Sequence, residues 1–449
     1  MRILFVEIDT ERTWAVASMG PAFLAAYLRQ HGHTVTALRV PPEQDAETFV
    51  NRVIDSDPQL IGISLTTRQW LRARDLMGAL RRQTQIPVIA GGLHATFSPE
   101  HVLEHPGFDF VCLGEGEEAL LELVQRLESG EPTNTIRNIQ VPQGSRPELR
   151  PPLESLDNLP FLARDLLDEQ YGVVHISTQR GCPFPCTYCA ARQYHDLYGT
   201  ANNYGRRRSV SSVMDELAEI QRTGLLNYVI FLDDTFTIFP TWVTEFCEIY
   251  TERFHIPYSV HARADTVSPE MIRQLADSGC RHIVYGVESG SLRVRREIMH
   301  RPITNERMIQ TFQQTREAGI IVTANYMLGL PTETRDDLEQ TIQLHEQLQP
   351  DDFGYFVFYP YPGTRLFEVC QERGYLPDNF LELPANHRES ILNLPELSRE
   401  EISEYYDRFT ALRENTHLNR MSKAAASGHD YGKQEQGIID EIQKCAATG

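Results

Sequence analysis

Short apolar runs of strand character alternate with amphipathic, helical segments along most of this 449-residue chain. A first series has strands at residues 2–8, 33–40, 60–65, 87–90 and 108–113, with helical segments between them. Strands joined in this way form a parallel, doubly wound α/β sheet, whose ligands bind beyond the carboxyl ends of the strands. We therefore predict a Rossmann-like domain over residues 1–135. Proline and glycine then break the periodicity, which indicates a linker over residues 136–170, with a crossover along the surface as the alternative.

A second series of six strand–helix units follows the linker. Its strands are expected at residues 173–178, 228–232, 258–262, 282–287, 320–327 and 353–359. Six such units predict a (β/α)6 partial TIM barrel over residues 171–370, with the chemistry on the loops after its strands. Residues 371–449 are expected to form a small helical region whose last thirty or so residues are only partly ordered. The predicted fold class is α/β throughout.

Three of the eight cysteines fall within eight residues, in the loop after the first barrel strand. Cys182, Cys186 and Cys189 have the spacing C-x3-C-x2-C. The alternative is a structural zinc site, which would need a fourth ligand; Cys247 and Cys280 are the candidates for it. Three thiolates are better suited to an iron–sulfur cluster, because such a cluster then keeps one iron open to an exogenous ligand.

This motif after a first βα strand resembles the radical S-adenosylmethionine (SAM) superfamily, and the resemblance extends over the whole second domain. It implies that Cys182, Cys186 and Cys189 hold a [4Fe-4S] cluster whose open iron binds the methionyl amine and carboxylate of SAM. It also implies that reduction by the cluster splits SAM into methionine and a 5′-deoxyadenosyl radical. Tyr188, the aromatic residue before the last cysteine, would lie by the adenine.

Later strand ends match the segments with which this family contacts SAM. Asp233 and Asp234 stand where the family holds the methionyl ammonium, although a helix cap would explain one of them. Arg263 is expected to pair with the SAM carboxylate, the alternative being a salt bridge along the barrel rim. Glu288 is placed for the ribose hydroxyls, and Gly329 for a close approach of the backbone to the adenine.

The first domain resembles the cobalamin-binding domains that precede some radical SAM barrels. No G-x-G-x-x-G segment follows its first strand, which disfavours a dinucleotide. The alternative for its glycines is that they only make βα turns. The residues expected to contact cobalamin are Gly20, Thr66, Arg68, Gly91, Gly92, His94, Gly114 and Glu115.

Cobalamin domains of the methionine-synthase type carry an Asp-x-His-x-x-Gly segment whose histidine ligates cobalt. The first loop of this chain, residues 9–14, has no histidine. We therefore expect base-off cobalamin with a residue of the third-strand loop, 66–70, below the cobalt. Arg68 is the candidate, since a cation there would discourage water from binding cobalt; His94 is the alternative.

Together these resemblances imply a cobalamin-dependent (class B) radical SAM methyltransferase that methylates an unactivated sp3 carbon through methylcobalamin and the 5′-deoxyadenosyl radical. Tyr326 and Tyr359, near the barrel mouth, are the candidate catalytic residues, with core packing as the alternative. The short region after the barrel favours a protein or peptide side chain as substrate. Glutamine C-methylation of methyl-coenzyme M reductase is the leading specific prediction. A small-molecule methylase, a non-methylating relative that forms a ring or oxidises, and a cobalamin-binding sensor or carrier are the alternatives.

Composition limits the classes of partner and the cellular location that we expect for this chain. The formal charge of −20 disfavours nucleic acid, whose phosphates require a concentrated basic surface. No apolar run reaches the roughly 18–20 residues that a membrane span needs, and the first residues lack the pattern of a secretory signal. So few cysteines in a long chain indicate reduced thiols. We therefore expect a cytoplasmic monomer that is served by a low-potential electron donor, flavodoxin or ferredoxin.

Overall fold

The computed structural model describes residues 1–10, 19–167, 169, 171–199 and 205–426, with side chains as far as residue 416. Cys445 and residues 11–14 of the first loop lie outside the described residues. The chain divides into two compact units. The first comprises Met1–Asp168, Gln193–Tyr204 and Tyr361–Gly363, and the second comprises Glu169–Arg192, Gly205–Pro360 and Thr364–Gly449. No helix in the described ranges is long and apolar enough to cross a membrane.

The first unit is a six-stranded sheet in the order β2-β1-β3-β4-β5-β6. Alternate residues of its strands enter two separate apolar clusters, because successive side chains of a strand point to opposite faces. Helices therefore cover both faces, as the doubly wound prediction requires. Its elements are β1 (Arg2–Ile8), α1 (Met19–Gln30), β2 (Thr34–Val40), α2 (Ala46–Asp55), β3 (Leu60–Ser64), α3 (Trp70–Arg81), β4 (Val88–Gly91), α4 (Gly92–Phe97), α5 (Pro99–Glu104), β5 (Phe110–Cys112), α6 (Glu117–Ser129) and β6 (Ile139–Gln140).

The segment that we expected to be a linker belongs largely to this unit. β6 pairs antiparallel with β5, and Ile136, Ile139 and Ala163 are buried in the core beside α1 and α6. A free linker is therefore the wrong description of this part, and a crossover along the first unit, the alternative, describes it better, because isolated apolar residues between prolines and glycines still bury themselves against the sheet. Periodicity over so short a stretch did not reveal them.

The second unit contains six parallel strands in the order β14-β13-β12-β11-β10-β7. This confirms the (β/α)6 partial barrel and the small helical region that follows it. A two-stranded ribbon, β8 with β9, adjoins the first strand. The elements are β7 (Val173–Ile176), β8 (Gln179–Arg180), α7 (Ala190–Leu197), β9 (Arg206–Arg207), α8 (Val210–Thr223), β10 (Tyr228–Phe231), α9 (Pro240–Arg253), β11 (Tyr258–Ala262), α10 (Pro269–Asp277), β12 (Cys280–Glu288), α11 (Asn305–Glu317), β13 (Ile321–Leu328), α12 (Arg335–Leu348), β14 (Asp352–Val357), α13 (Arg365–Glu372) and α14 (Arg399–Ala426).

Alternation along the barrel strands separates core residues from residues that face the barrel interior. Phe231 of β10 and Tyr258 of β11 pack against Phe246 of α9, in the layer between sheet and helices. Side chains one position away point to the opposite face. His261 and Arg263, at the carboxyl end of β11, therefore face the interior, where the chemistry of such barrels is placed.

Candidate active site

The cysteine loop leaves the ribbon strand β8 through Gly181, whose φ of +85° glycine adopts without strain. Cys182 and Cys186 are buried, Cys189 is half-buried, and all three thiols are free. Burial raises the pKa of Cys182 to about 11 and also raises that of Cys189, because a thiolate loses solvation there. Such thiols become thiolates at neutral pH only when a cationic partner such as iron takes the place of the proton.

The donor set fits a cluster better than a single metal ion. A structural zinc ion is held by four protein ligands, whereas this loop supplies three free thiols. A cubane cluster needs thiolates that are spread apart, since each thiolate binds a different iron atom. Three free cysteines on one loop are the ligands which that arrangement needs.

Arg263 lies directly against the cysteine loop. Its Nη1 donates to Cys186 Sγ at 3.4 Å, and its guanidinium lies 3.7 Å from the ring centre of Phe184. Its other nitrogens donate to Asp265 at 2.8 and 2.9 Å. The salt bridge that we named as the alternative is therefore present, and the same bridge holds the guanidinium at the sulfur.

The two aspartates after β10 have different surroundings. Asp233 is buried and accepts hydrogen bonds from the backbone of Thr178 at 2.7 Å and of Gln179 at 3.1 Å. Asp234 is exposed to solvent, and its carboxylate has no hydrogen-bond partner in the described part of the chain. Although solvent reaches it, the surrounding protein and the neighbouring Asp233 raise its pKa to about 6. Asp234 is thus the carboxylate that remains available to a cationic ligand.

Glu288, Tyr188 and Arg301 form a group at the end of β12. Glu288 has a φ of +68°, at a bulge where β12 shifts register against β13, and its carboxylate accepts a hydrogen bond from Tyr188. Burial raises the pKa of both groups, and the Arg301 guanidinium opposes that rise. A non-glycine residue with positive φ is costly, and such strain is often found where a side chain must be aimed into a site.

Arg301 was not predicted. It is buried, and its Nη2 donates to the carbonyl of Gly286 at 2.7 Å. Burial alone would lower its pKa, but the oxygens of Tyr188 and Glu288 raise it. It follows a short π-helical turn after β12, where no local pattern in the sequence distinguishes it from a surface arginine.

Gly329 ends β13 with a φ of +77°. Its N–H and that of Leu330 donate to Glu333 Oε2 at 2.7 and 3.1 Å. A Cβ at this position would come within 3.0 Å of Ile402 on α14. Burial raises the pKa of Glu333 to about 8, so its carboxyl group is largely protonated at neutral pH. Sequence reasoning placed the glycine correctly at a strand end but missed the glutamate that binds its backbone.

The two tyrosines that we named as catalytic candidates are both buried. The hydroxyl of Tyr326 lies 3.1 Å from His345 Nδ1 on α12, and its ring contacts Phe409 on α14. These neighbours belong to the helical layer, so Tyr326 has the contacts of a core side chain, as the packing alternative predicts. Tyr359 follows β14, and burial raises its pKa to about 12; its catalytic role stays a prediction.

In the first unit, the loop between β3 and α3 is held by Gln69. Its Oε1 accepts from the N–H and the hydroxyl of Thr66, each at 2.9 Å, while its Nε2 donates to the carbonyl of Ile8 at 2.9 Å. Arg68 is half-buried in this loop. The loop is therefore tied to the carboxyl end of β1, at the edge of the sheet where ligands of such folds bind.

His94 lies in the core at the start of α4. Its ring is 1% exposed, stacks on Trp70 with centroids 5.1 Å apart, and places Nδ1 3.1 Å from the hydroxyl of Thr67. Burial lowers the pKa of His94 to about 3, so the ring is neutral. An enclosed ring has no nitrogen open to a corrin. The alternative that His94 ligates cobalt is therefore not supported by its placement.

The glycines at the strand ends of the first unit serve two purposes. A Cβ on Gly92 would lie 2.8 Å from the backbone of Leu65, so this glycine permits close packing of β3 and β4. Among the described residues, a Cβ on Gly20 would meet nothing within 4 Å, and one on Gly91 would meet Cys112 alone, at 3.9 Å. Within this part of the chain, Gly20 and Gly91 therefore leave space at the edge of the sheet, which fits the entry of a bulky cofactor.

Gly114 and Glu115 form the turn after β5 and are occupied by protein neighbours. A Cβ on Gly114 would lie 2.1 Å from the hydroxyl of Tyr198, which accepts a hydrogen bond from Glu115 N at 2.7 Å. The side chain of Glu115 accepts from the backbone of Leu153 at 3.0 Å. These contacts account for a glycine at 114 by packing; contact with cobalamin stays a prediction for both residues.

Comparisons with known proteins agree with this reading of the two units. Residues 176–345 match the family model of the Radical SAM superfamily, and residues 15–124 match that of the B12 binding domain. The chain is 28% identical to an uncharacterized methyltransferase of Pyrococcus horikoshii, over 90% of each chain. It is 25% identical to the anaerobic magnesium-protoporphyrin IX monomethyl ester cyclase of Rubrivivax gelatinosus, over 83% of this chain and 70% of that protein.

Among solved structures, the chain is similar to the radical SAM methyltransferase TsrM of Kitasatospora setae with cobalamin and a [4Fe-4S] cluster bound. The TM-score is 0.69 at 18% identity, covering 83% of this chain and 75% of that one. TsrM has also been solved with a tryptophan substrate and a SAM analogue. At this identity the likeness shows a shared fold. The order of the two domains, the three cysteines and the methyltransferase relative together place the chain in the cobalamin-dependent radical SAM methyltransferase family, with a [4Fe-4S] cluster, SAM and cobalamin as its cofactors.

Proposed function

We propose that this enzyme methylates an unactivated sp3 carbon. When bound, the cluster and SAM supply a carbon-centred radical, and cobalamin carries the methyl group. The observation that carries the proposal is the set of side chains around the cysteine loop: a guanidinium on Cys186, an open carboxylate at Asp234, and the Glu288–Tyr188 pair. In charge and hydrogen-bonding capacity, these groups are complementary to the carboxylate, the ammonium and the ribose hydroxyls of SAM.

Each of these residues has a distinct task in binding. Asp234 receives the methionyl ammonium, because its carboxylate is exposed to a ligand and charge-assisted hydrogen bonds to an ammonium are stronger than neutral ones. Arg263 donates to the methionyl carboxylate from its position beside Cys186. Glu288 accepts from the ribose hydroxyls, and the backbone at Gly329 contacts the adenine. Asp265 limits the motion of Arg263, which reduces the entropy lost on binding.

In the cobalamin-binding unit, Arg68 is the residue that would lie near the cobalt when cobalamin is bound. The bond network of Gln69 holds the loop that carries it, and a cation in that position discourages water from binding the metal. Thr66, Gly20, Gly91, Gly92, Gly114 and Glu115 are the further cobalamin contacts that we propose. Replacement of Arg68 by alanine should change the absorption spectrum of the bound cobalamin, and an unchanged spectrum would remove Arg68 from this role.

We further propose that the substrate is a protein or peptide side chain, with glutamine as the first candidate. This carries forward the sequence-based expectation of such a substrate; among the described residues, α13, α14 and the segment between them follow the barrel. Tyr359 would orient this substrate. Tyr359→Phe should then lower methylated product while the cleavage of SAM without substrate stays as in the wild-type enzyme.

The decisive experiment uses methyl-deuterated SAM with the anaerobically reconstituted enzyme and a chemical reductant. Glutamine-containing peptides, free tryptophan and a magnesium porphyrin ester are incubated separately, and the products are analysed by mass spectrometry. A deuterated methyl group on a peptide carbon supports the full proposal. The same group on a small molecule would retain methyl transfer and overturn the peptide substrate.

A second candidate function is ring formation, the reaction named for the cyclase to which the chain is 25% identical. The same assay separates the two. If 5′-deoxyadenosine forms and a substrate loses hydrogen without gaining the deuterated methyl group, the enzyme is a cyclase or oxidase. If no 5′-deoxyadenosine forms with any reductant, the chain is a cobalamin-binding sensor or carrier. Flavodoxin or ferredoxin is the electron donor that we propose for a monomeric enzyme in the cytoplasm.

A further inference from the structure

The carboxylate of Asp233 is hydrogen-bonded to other groups of the protein. One oxygen accepts from the N–H groups of Thr178 and Gln179 at 2.7 and 3.1 Å, and the other accepts from the Thr178 hydroxyl. Arg207 Nη2 lies 3.5 Å from the second oxygen. The side chain of Asp233 is wholly shielded from solvent. No oxygen of this carboxylate is left to face a ligand.

The Arg207 guanidinium covers the Asp233 carboxylate and the Thr178 hydroxyl from the other side. Its Nε and Nη2 donate to the Thr178 hydroxyl at 3.2 and 3.0 Å, and it lies 3.9 Å from the ring centre of Trp242 on α9. Trp242 Nε1 in turn donates to the carbonyl of Arg208 at 2.8 Å. The ion pair is therefore packed against the barrel core and not merely placed at its surface.

The segment that Asp233 binds is the one that leads into the cysteine loop. Thr178 and Gln179 enter β8, and Cys182 follows three residues after Gln179. Gln179 Nε2 donates to the carbonyl of Thr235 at 3.2 Å, and the Thr235 hydroxyl lies 4.0 Å from Cys182 Sγ. Two segments, residues 178–182 and 233–235, are thus joined side by side through Asp233.

We propose that Asp233 is a positioning residue that anchors the entry to the cysteine loop, and that Asp234 alone is left for the SAM ammonium. This rests on the proposed function only in that a cluster and SAM bind to this unit. A carboxylate that accepts two backbone N–H groups and a hydroxyl holds their geometry strongly, because charged hydrogen bonds are worth more than neutral ones. Its removal leaves two buried N–H donors without an acceptor, which a short loop relieves by moving.

The test compares Asp233→Ala with Asp234→Ala, two equal truncations at adjacent positions. Iron and acid-labile sulfide are measured per chain after anaerobic reconstitution, followed by the rate at which a chelator removes the iron. For Asp233→Ala we expect iron to be lost at least about tenfold faster than from the wild-type protein, the factor that a lost charged hydrogen bond gives. For Asp234→Ala we expect wild-type iron retention but SAM affinity, measured by equilibrium dialysis, lower by about tenfold or more.

Two further measurements keep the result interpretable. Hydroxocobalamin binding reports on the first unit, and far-UV circular dichroism on the whole fold; both should match the wild type in each variant. If Asp233→Ala does not fold, Thr178→Val is used, since it removes the hydroxyl that donates to Asp233 and accepts from Arg207 but keeps the shape of the side chain and both backbone N–H bonds to Asp233. It should accelerate iron loss by a smaller factor.

The proposal is overturned if Asp233→Ala, or Thr178→Val in its place, keeps its iron as long as the wild type. It is also overturned if Asp233→Ala lowers SAM affinity while iron retention is unchanged, since Asp233 would then be the ammonium ligand. A wild-type protein that holds the cluster, SAM and cobalamin but transfers no methyl group would contradict the proposed function and leave this inference intact.

Discussion

Protonation of Glu333 should make the stability of the barrel depend on pH, and Glu333→Gln should remove that dependence. Glu333 Oε2 accepts from the N–H groups of Gly329 and Leu330 at 2.7 and 3.1 Å. The other oxygen is buried and, among the described residues, has no hydrogen-bond partner. Burial raises the pKa from 4.5 to about 8. A glutamine carries an equivalent acceptor oxygen and does not titrate.

The sign follows from where the proton is bound. In the folded protein Glu333 keeps its proton up to about pH 8, whereas the unfolded chain releases it near its ordinary pKa. The contribution of Glu333 to the free energy of folding is therefore largest in acid. It is lost as the pH rises from the pKa of Glu333 in the unfolded chain through its pKa in the folded protein, about 8. Between about pH 6 and about pH 8.5 this linkage amounts to a loss of about 2–3 kcal/mol for the wild-type barrel.

The assay is urea unfolding of the holoprotein at the two pH values, followed by circular dichroism, for the wild type and Glu333→Gln. Hydrogen exchange of the peptide that contains Gly329 and Leu330 reports whether the change is local. The difference in unfolding free energy between the two proteins should shift by about 2–3 kcal/mol in favour of the glutamine variant at high pH. If both proteins show the same pH dependence, Glu333 is not protonated at neutral pH and the reasoning fails.

Three further predictions follow from single contacts. Arg263→Met removes the donor to Cys186 Sγ and should lower the reduction potential of the cluster by about 40–60 mV. This shift is the one-electron equivalent of a hydrogen bond worth about 1–1.4 kcal/mol. An unchanged potential in an EPR-monitored redox titration would contradict the prediction. Gly114→Ala introduces a Cβ 2.1 Å from the Tyr198 hydroxyl at a φ of +77°. It should destabilise the first unit by about 1–3 kcal/mol in a denaturation experiment. Addition of Tyr198→Phe, which removes that oxygen, should recover part of the loss; no recovery would show that backbone strain alone is responsible. Tyr326→Phe should leave substrate methylation near the wild-type rate, because the hydroxyl of Tyr326 bonds to His345 in the helical layer; a large loss of product without loss of stability would restore it as a catalytic residue.

Much of the architecture was predictable because it depends on local patterns. Alternating strand and helix segments predicted the parallel strands of both sheets, and the spacing of Cys182, Cys186 and Cys189 predicted the cluster loop. The linker was less accessible. Ile136 and Ile139 enter the core of the first unit although prolines and glycines surround them, and periodicity over a few residues carries too little information to show this.

The residues of the candidate site also divide into those that the sequence predicted and those that it did not. The aspartate pair after β10 is visible in the sequence as a candidate for binding a cation, but adjacent carboxylates are equivalent there. The fold distinguishes them, since the register of β10 against β7 directs Asp233 to the backbone of Thr178 and leaves Asp234 exposed. Arg301 and Glu333 gave no signal, because neither lies in a pattern that distinguishes a buried charge from a surface one.

The sequence by itself determined the fold class, the order of the domains and the residue types that carry the chemistry, since hydrophobic periodicity and ligand spacing are properties of the chain. Tertiary structure decided which of those residues are available to a ligand. His94 is enclosed by Trp70, and the ring of Tyr326 contacts Phe409 of the helical layer. Burial and hydrogen-bond partners arise from contacts between residues far apart in the chain, and no local pattern encodes those contacts.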